Sequence, residues 1–196
     1  MTILWILKHK ILYRRRYYYA IYNASIEPEV KKVVREAQGN IFIDIGSNLG
    51  YYSKLAKKRF RGVLSIDPNP KYHADMRVAI SNKDGRAMFY IGDGRGGADS
   101  LLHNPHISGK EWTNDSPIQV QTMTYDQLML DADLVKIDVE GAEFDIIEGM
   151  KLYLPKRVII ELHDERREQE LLSKMGDKGY ESEKLGSSHF LFRRLS

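Results

Sequence analysis

The feature that most constrains this chain is a series of short apolar runs, each ending on or beside an acid and separated by stretches of helical periodicity. The runs are IFIDI (41–45), VLSID (63–67), DLVKIDV (133–139) and RVIIELH (157–163). Runs of that length, rich in β-branched residues and alternating with helices, predict buried strands of a parallel α/β sheet. Between the first two lie a glycine-bearing turn, GSNLG (46–50), and a helical stretch, YYSKLAKKRF (51–60), that Gly62 interrupts. Upstream, Pro28 suits a first helical turn, Val30, Val33, Val34 and Ala37 recur at helical spacing, and Gly39 is expected as the C-cap. A helix is expected over 70–77 and a third strand near Val78–Ile80. Asp84-Gly85 reads as the turn of a hairpin leading into RAMFYI (86–91). IQVQTMT (118–124) alternates like a strand, and TYDQLM (124–129) reads as a short helix capped by Thr124. Helices over 142–150 and 164–176 and a closing hairpin of YESEKL (180–185) and HFLFRRL (189–195) complete the pattern. Segment 92–117 is glycine-bearing and lacks periodicity, a length that suits a functional lid.

At 196 residues the chain fits one domain over 27–196 preceded by an arm over 1–26. A hydrophobic share of 42% excludes wholesale disorder. The formal charge of +3 hides an asymmetry: residues 1–26 hold five bases and no acid, which leaves 25 bases against 27 acids in the body. The absence of cysteine excludes disulfides, thiolate metal centres and a cysteine nucleophile, and it suits a reducing, cytoplasmic setting. No stretch reaches the roughly 18 apolar residues of a membrane span, and no secretory signal is expected. The arm, MTILWILKHKILYRRRYYYAIY (1–22), admits three readings. It is a helix packed on the body, a peripheral contact with an anionic membrane surface, or a basic-aromatic contact with nucleic acid.

Ligands of an open α/β sheet bind beyond the carboxyl ends of its strands. Asp44, Asp67, Asp138 with Glu140, and Glu161 with His163 are all expected at that edge. The first turn, Asp44 to Gly50, is D-x-G-x-x-x-G and departs from the G-x-G-x-x-G of dinucleotide binders. A pyrophosphate needs backbone N–H groups free of negative charge, so an acid at this position disfavours it. The same acid attracts a ligand with a cationic near end, such as the sulfonium and amino group of S-adenosylmethionine. Asp67, ending the next strand, can accept from both hydroxyls of a ribose. The duller readings are a ligand-free tight turn for Gly46 and Gly50, and a helix cap before Pro70 for Asp67-Pro68.

IFIDIGSNLGYYS, SIDPNP, TYDQL, LVKIDVEGAEFDIIEGM and VIIELH together resemble the FkbM-type S-adenosylmethionine-dependent methyltransferases. KIDVEGAE (136–143) is the most specific element, and the resemblance runs from about residue 28 to about 163. It implies an α/β, doubly wound, Rossmann-like class I methyltransferase fold of seven strands with the last antiparallel, here preceded by a helical N-terminal arm. It also implies methyl transfer to an oxygen of a sugar, glycolipid or other small molecule. Carried over, Asp44, Gly46, Ser47, Asn48 and Gly50 would line the methionine side of the cofactor, Asp67 with Pro68 the ribose, and Ala79 and Ile80 the adenine. Family members often carry Glu where this chain has Asp67, and 92–117 shows little of the family pattern, so the acceptor does not carry over.

A hydroxyl acceptor needs its proton removed as it attacks. Period two along a strand sets Lys136 and Asp138 on one side, and Asp138 is the expected base, ahead of Glu161, His163 and His103. Lys136 reads otherwise as an interior lysine paired with Asp138, and Glu143 as a first-turn acid favoured by the helix dipole. Asp138, Glu140, Glu161 and His163 would also suit a divalent cation, which is the less favoured reading. His73 and His189 read as ordinary. The functional alternative is an RNA methyltransferase using the basic arm, against which stands the acidic balance of the body.

Overall fold

The computed structural model describes residues 27–91, 99–101 and 117–195. The arm over 1–26, His103 and most of the 92–117 loop lie outside the described residues. Two sheets carry the fold. The larger has six strands in the order β2-β1-β6-β7-β9-β8: β1 (Gly39–Ile45), β2 (Phe60–Ile66), β6 (Leu134–Ile137), β7 (Arg157–Glu161), β8 (Tyr180–Leu185) and β9 (His189–Arg194). β2, β1, β6 and β7 run parallel, and β9 is antiparallel to both β7 and β8. The smaller sheet is β3 (Ala79–Ser81), β5 (Ile118–Thr124) and β4 (Gly85–Phe89), in that order.

Seven strands were expected in one sheet, and the third is the one that leaves. Met76 still bridges Ile66 in parallel, donating to Ser65 O at 3.0 Å. The chain then turns so that Ala79–Ser81 pairs with Thr122–Thr124 of β5. β5 thus lies between β3 and β4, and the expected hairpin through Asp84-Gly85 does not form. The expected helix over 70–77 is absent because side chains take over its backbone groups. Asn69 Oδ1 accepts from Lys71 N at 2.9 Å, and Asp75 N donates to Ser65 Oγ of β2 at 3.0 Å, the competition by which Asn and Ser favour turns over helix.

Among the described residues four α-helices flank the large sheet: α1 (Pro28–Glu36), α2 (Tyr51–Ala56), α3 (Glu143–Gly149) and α4 (Glu168–Asp177). Pro28 occupies the first turn of α1, where its missing N–H costs nothing. Gly39 opens β1, and Ala37 is the C-cap. Strand alternation divides the core. Ile43, Ile45, Val135, Ile137, Val158 and Ile160 face α3 and α4, whose Ile146, Ile147, Leu171 and Met175 cover them. Phe42, Leu134, Ile159 and Leu191 face α1 and α2 and meet Val30, Val34 and Ala56. Each fully buried side chain of this size contributes about 1.5–3 kcal/mol.

The same period of two governs the polar residues near the carboxyl ends. Asp44, Lys136, Glu161 and His189 lie two places from Phe42, Leu134, Ile159 and Leu191 on the same strands, so they share the α1–α2 face. No helix among the described residues is long and apolar enough to cross a membrane.

Candidate active site

A cavity of about 270 Å³ opens over the carboxyl ends of β2, β1, β6 and β7. Asp44, Gly46, Ser47, Asn48, Asp67 and Pro68 line one end of it. The turn after β1 carries left-handed backbone at Gly46 (φ 78), Asn48 (φ 49) and Gly50 (φ 72). At Gly46 the residue type is forced, because a Cβ would stand 1.7 Å from Asp138 O. This contact joins the β1 turn to the end of β6, with Asp138 N donating to Ile45 O at 3.0 Å. Gly50 does not line the cavity and serves as the left-handed N-cap of α2.

Asp44 is 1% exposed and accepts from Ser53 N of α2 at 2.9 Å. Burial raises its pKa, with Lys136 and Ser53 opposing. Asp67 accepts from Asn48 N at 2.8 Å and from Asn69 N at 2.9 Å, one on each carboxylate oxygen. Each oxygen retains a second lone pair. Burial pushes the Asp67 pKa up to about 6, against these hydrogen bonds. Two polar atoms on the adjoining turn, Ser47 Oγ and Asn48 Oδ1, are buried without a hydrogen-bond partner. Such atoms in a cavity wall are groups awaiting a ligand. Ala79 and Ile80 line the same cavity with Phe89 and Leu101, an apolar wall suited to an aromatic ring.

The other end is a network of charges. Lys136 is 2% exposed and donates to Asp138 Oδ2 at 2.8 Å, while its Nζ stands 4.9 Å from the Tyr52 ring centroid. Burial works against the ammonium, yet the charges of Asp138 and Asp44 outweigh it and raise its pKa. Burial likewise opposes the Asp138 carboxylate, and Lys136 and His163 hold its pKa below the usual range. Both groups are therefore ionised at neutral pH.

His163 does not line the cavity. Its Nδ1 meets Glu143 Oε1 at 2.7 Å, and its Nε2 stands 3.2 Å from Glu140, with Asp138 and Glu161 each at 3.8 Å. Burial opposes a charged ring here, but the Glu143 hydrogen bond and the Glu140 and Asp138 charges push the pKa up to about 10. That shift favours the charged ring, which has no lone pair to accept a proton. Glu143, expected as a dipole acid alone, sits in the first turn of α3 and is also 1% exposed, accepting from Gly141 N.

The structure adds three residues that sequence reading missed or called ordinary. Glu27 and Asp99 line the cavity, and His189 stands 3.3 Å from Glu161 and 3.6 Å from Glu27. Asp99 accepts from Asn69 Nδ2 at 2.6 Å. A period-two count from Leu191 was the available signal for His189; for Glu27 and Asp99 no signal existed.

A six-stranded, doubly wound sheet with an antiparallel penultimate strand, crowned by carboxylates around a glycine turn, defines a class I methyltransferase domain. Residues 44–182 match the methyltransferase FkbM domain, and the chain belongs to that family. The family implies S-adenosylmethionine as methyl donor, and the unpartnered polar atoms, apolar wall and free lone pairs of Asp67 fit that molecule. The 2-O-methyltransferase NoeI of Sinorhizobium fredii is 31% identical over 159 residues, 67% of this chain. The match spans 65% of that protein, slightly under two thirds of its length. Among solved structures, the precorrin-6y C5,15-methyltransferase of Geobacter metallireducens has a TM-score of 0.47 at 12% identity, covering 85% of this chain and 86% of its own. A chain of the E. cuniculi Mtq2–Trm112 complex has a TM-score of 0.46 at 12% identity, covering 85% of this chain and 92% of its own.

Proposed function

We propose that this chain methylates a hydroxyl oxygen of a sugar, glycolipid or other small molecule. The observation that carries the reading is one cavity with two unlike ends: the Asp67 end, with buried polar atoms awaiting a ligand, and the Lys136–Asp138 end, with an ionised carboxylate. The activity named for the relative, a 2-O-methyltransferase, supports oxygen as the acceptor atom.

S-adenosylmethionine, when bound, supplies a methyl group on a positively charged sulfur. Asp67 accepts from the ribose hydroxyls, and Ser47 and Asn48 satisfy their idle oxygens on the same ligand. Asp44 lends negative charge to the end where the cationic portion lies. Asp138 is the proton acceptor. Lys136 occupies Oδ2 and leaves Oδ1 for the acceptor hydroxyl. The lowered basicity this pairing brings is tolerable, because the proton need only leave as the new bond forms. Lys136 is a positioning residue that fixes the Asp138 rotamer. Much of the acceleration comes from holding the hydroxyl in line.

The test combines calorimetry of the purified protein with S-adenosylmethionine and its demethylated product, then a panel of saccharide and lipid acceptors with labelled methyl donor. Binding of both nucleosides and label on an acceptor oxygen are expected. Silence in calorimetry, or label recovered only on nitrogen or carbon, overturns the reading.

A further inference from the structure

We propose that Glu27, Glu161 and His189 form a binding site for one divalent transition cation, next to the Asp138–His163 cluster, from which Glu161 Oε1 stands 3.8 Å away at His163 Nε2. The three come from distant parts of the chain: the N-cap of α1, the end of β7 and the start of β9. Glu161 and His189 are direct partners across the antiparallel β7–β9 pair, so their side chains share one face of the sheet. The N-terminus of α1 brings Glu27 to the same place.

The decisive feature is His189. It is 4% exposed, and its Nε2 has no hydrogen-bond partner although two carboxylates face it. Glu161 Oε2 lies 3.3 Å away and Glu27 Oε1 3.6 Å. Two ligands at right angles on an ion, each bonded at about 2.1–2.5 Å, stand about 3.0–3.5 Å apart. The Glu161–His189 spacing falls in that range and the Glu27–His189 spacing lies just beyond it.

The neighbouring contacts orient the donors as metal ligands are oriented. Tyr52 OH donates to Glu27 Oε2 at 2.6 Å and leaves Oε1 turned toward His189. Ser188 Oγ lies 3.3 Å from His189 Nδ1. A proton on Nδ1 shared with Ser188 leaves the Nε2 lone pair facing the two carboxylates. Without a cation that lone pair would confront two negative charges in a buried setting. Asp138 lies close enough for its charge to act on His189, the buried Lys136 ammonium acts on Glu161, and His163 is committed to Glu143 and Glu140. One imidazole with two carboxylates suits Mn²⁺ or Zn²⁺. Three protein ligands leave further positions for water or another oxygen donor. Glu27 and Glu161 both line the cavity, and Glu161 ends a strand three places from the one that Asp67 follows. At about 4.8 Å per strand, Glu161 stands about 14 Å along the sheet from the Asp67 end, so ion and donor binding are each measured.

The experiment is Mn²⁺ titration of the full chain, followed by the electron-spin resonance signal of free ion and repeated with Zn²⁺ by calorimetry. One ion per chain is expected to bind. His189→Ala should weaken it at least tenfold while donor binding, measured on the same preparation, stays within twofold. His163→Gln should retain the ion. Should His189→Ala fail to fold, Glu27→Gln, a change on a partly exposed helix cap, carries the same expectation. No saturable uptake by the unsubstituted chain overturns the proposal. Uptake that survives in folded His189→Ala, or in folded Glu27→Gln, overturns it as well. Donor binding is read separately, so its loss counts against the proposed methyl transfer and not against the ion.

Discussion

The two ends of the cavity are built on different principles. Around Asp67 the carboxylate is held by backbone: Asn48 N and Asn69 N each donate to one oxygen, and the adjoining turn exists through its left-handed residues. Around Asp138 the carboxylate is held by side-chain charge, from Lys136 in front and His163 beside it. Two backbone donors favour the carboxylate by less than burial opposes it, so Asp67 is pushed up to about 6. A neighbouring ammonium fixes the charge itself, so Asp138 stays ionised. The first arrangement suits recognition of hydroxyls; the second suits keeping a proton acceptor ready.

The largest expected effect erases both ends together. Gly46→Ala places a Cβ 1.7 Å from Asp138 O, where backbone meets backbone and neither side can yield. It should cost more than about 3 kcal/mol in urea unfolding; a stable variant with native donor affinity would show the junction to be soft. Next, Asp138→Asn should lower turnover by roughly 10²–10⁴-fold, the range for a lost general base, with donor affinity nearly unchanged. Full turnover in that variant would remove Asp138 from its role.

At the opposite end, Asp67→Ala should weaken donor binding by about 10–100-fold, the worth of hydrogen bonds to a charged group. The pH dependence sharpens the contrast. Nucleoside affinity should fall as pH drops through about 6, where Asp67 takes up a proton. Because its folded pKa lies above the unfolded 3.8, the contribution of Asp67 to stability is present below that value and lost as pH rises to about 6. His163 titrates far from this window. Its folded pKa of about 10 exceeds the unfolded 6.5, so its contribution is complete below 6.5 and lost as pH rises through about 10. The smallest effect is that of Glu143→Gln, which should lower the His163 titration midpoint seen by NMR and leave Asp67 unmoved. A midpoint that stays in place would assign the shift to Glu140 and Asp138 alone.

Much of this was legible before the fold was known. The apolar runs became β1, β2, β6 and β7 because their lengths and branched residues leave little choice but burial on both faces. The closing hairpin came out as 180–185 and 189–194, since its alternation admits one register. The helix expected over 70–77 failed where Asn69 bonded Lys71 N locally and Asp75 paired with Ser65, whose nearness depends on β2. The third strand left the main sheet because β5 offered it an edge, a competition between partners 43 residues apart that local periodicity does not record.

What the sequence alone determined is which strands end in acids and which face those acids share, because a period of two is a property of the strand. The state of each acid was decided by tertiary structure. Lys136 holds Asp138 charged, Glu143 turns His163 from base to cation, and β9 sets His189 against Glu161. Those outcomes depend on which charges meet in a buried place, and a Coulomb interaction of a few ångströms is invisible until the chain has closed upon itself.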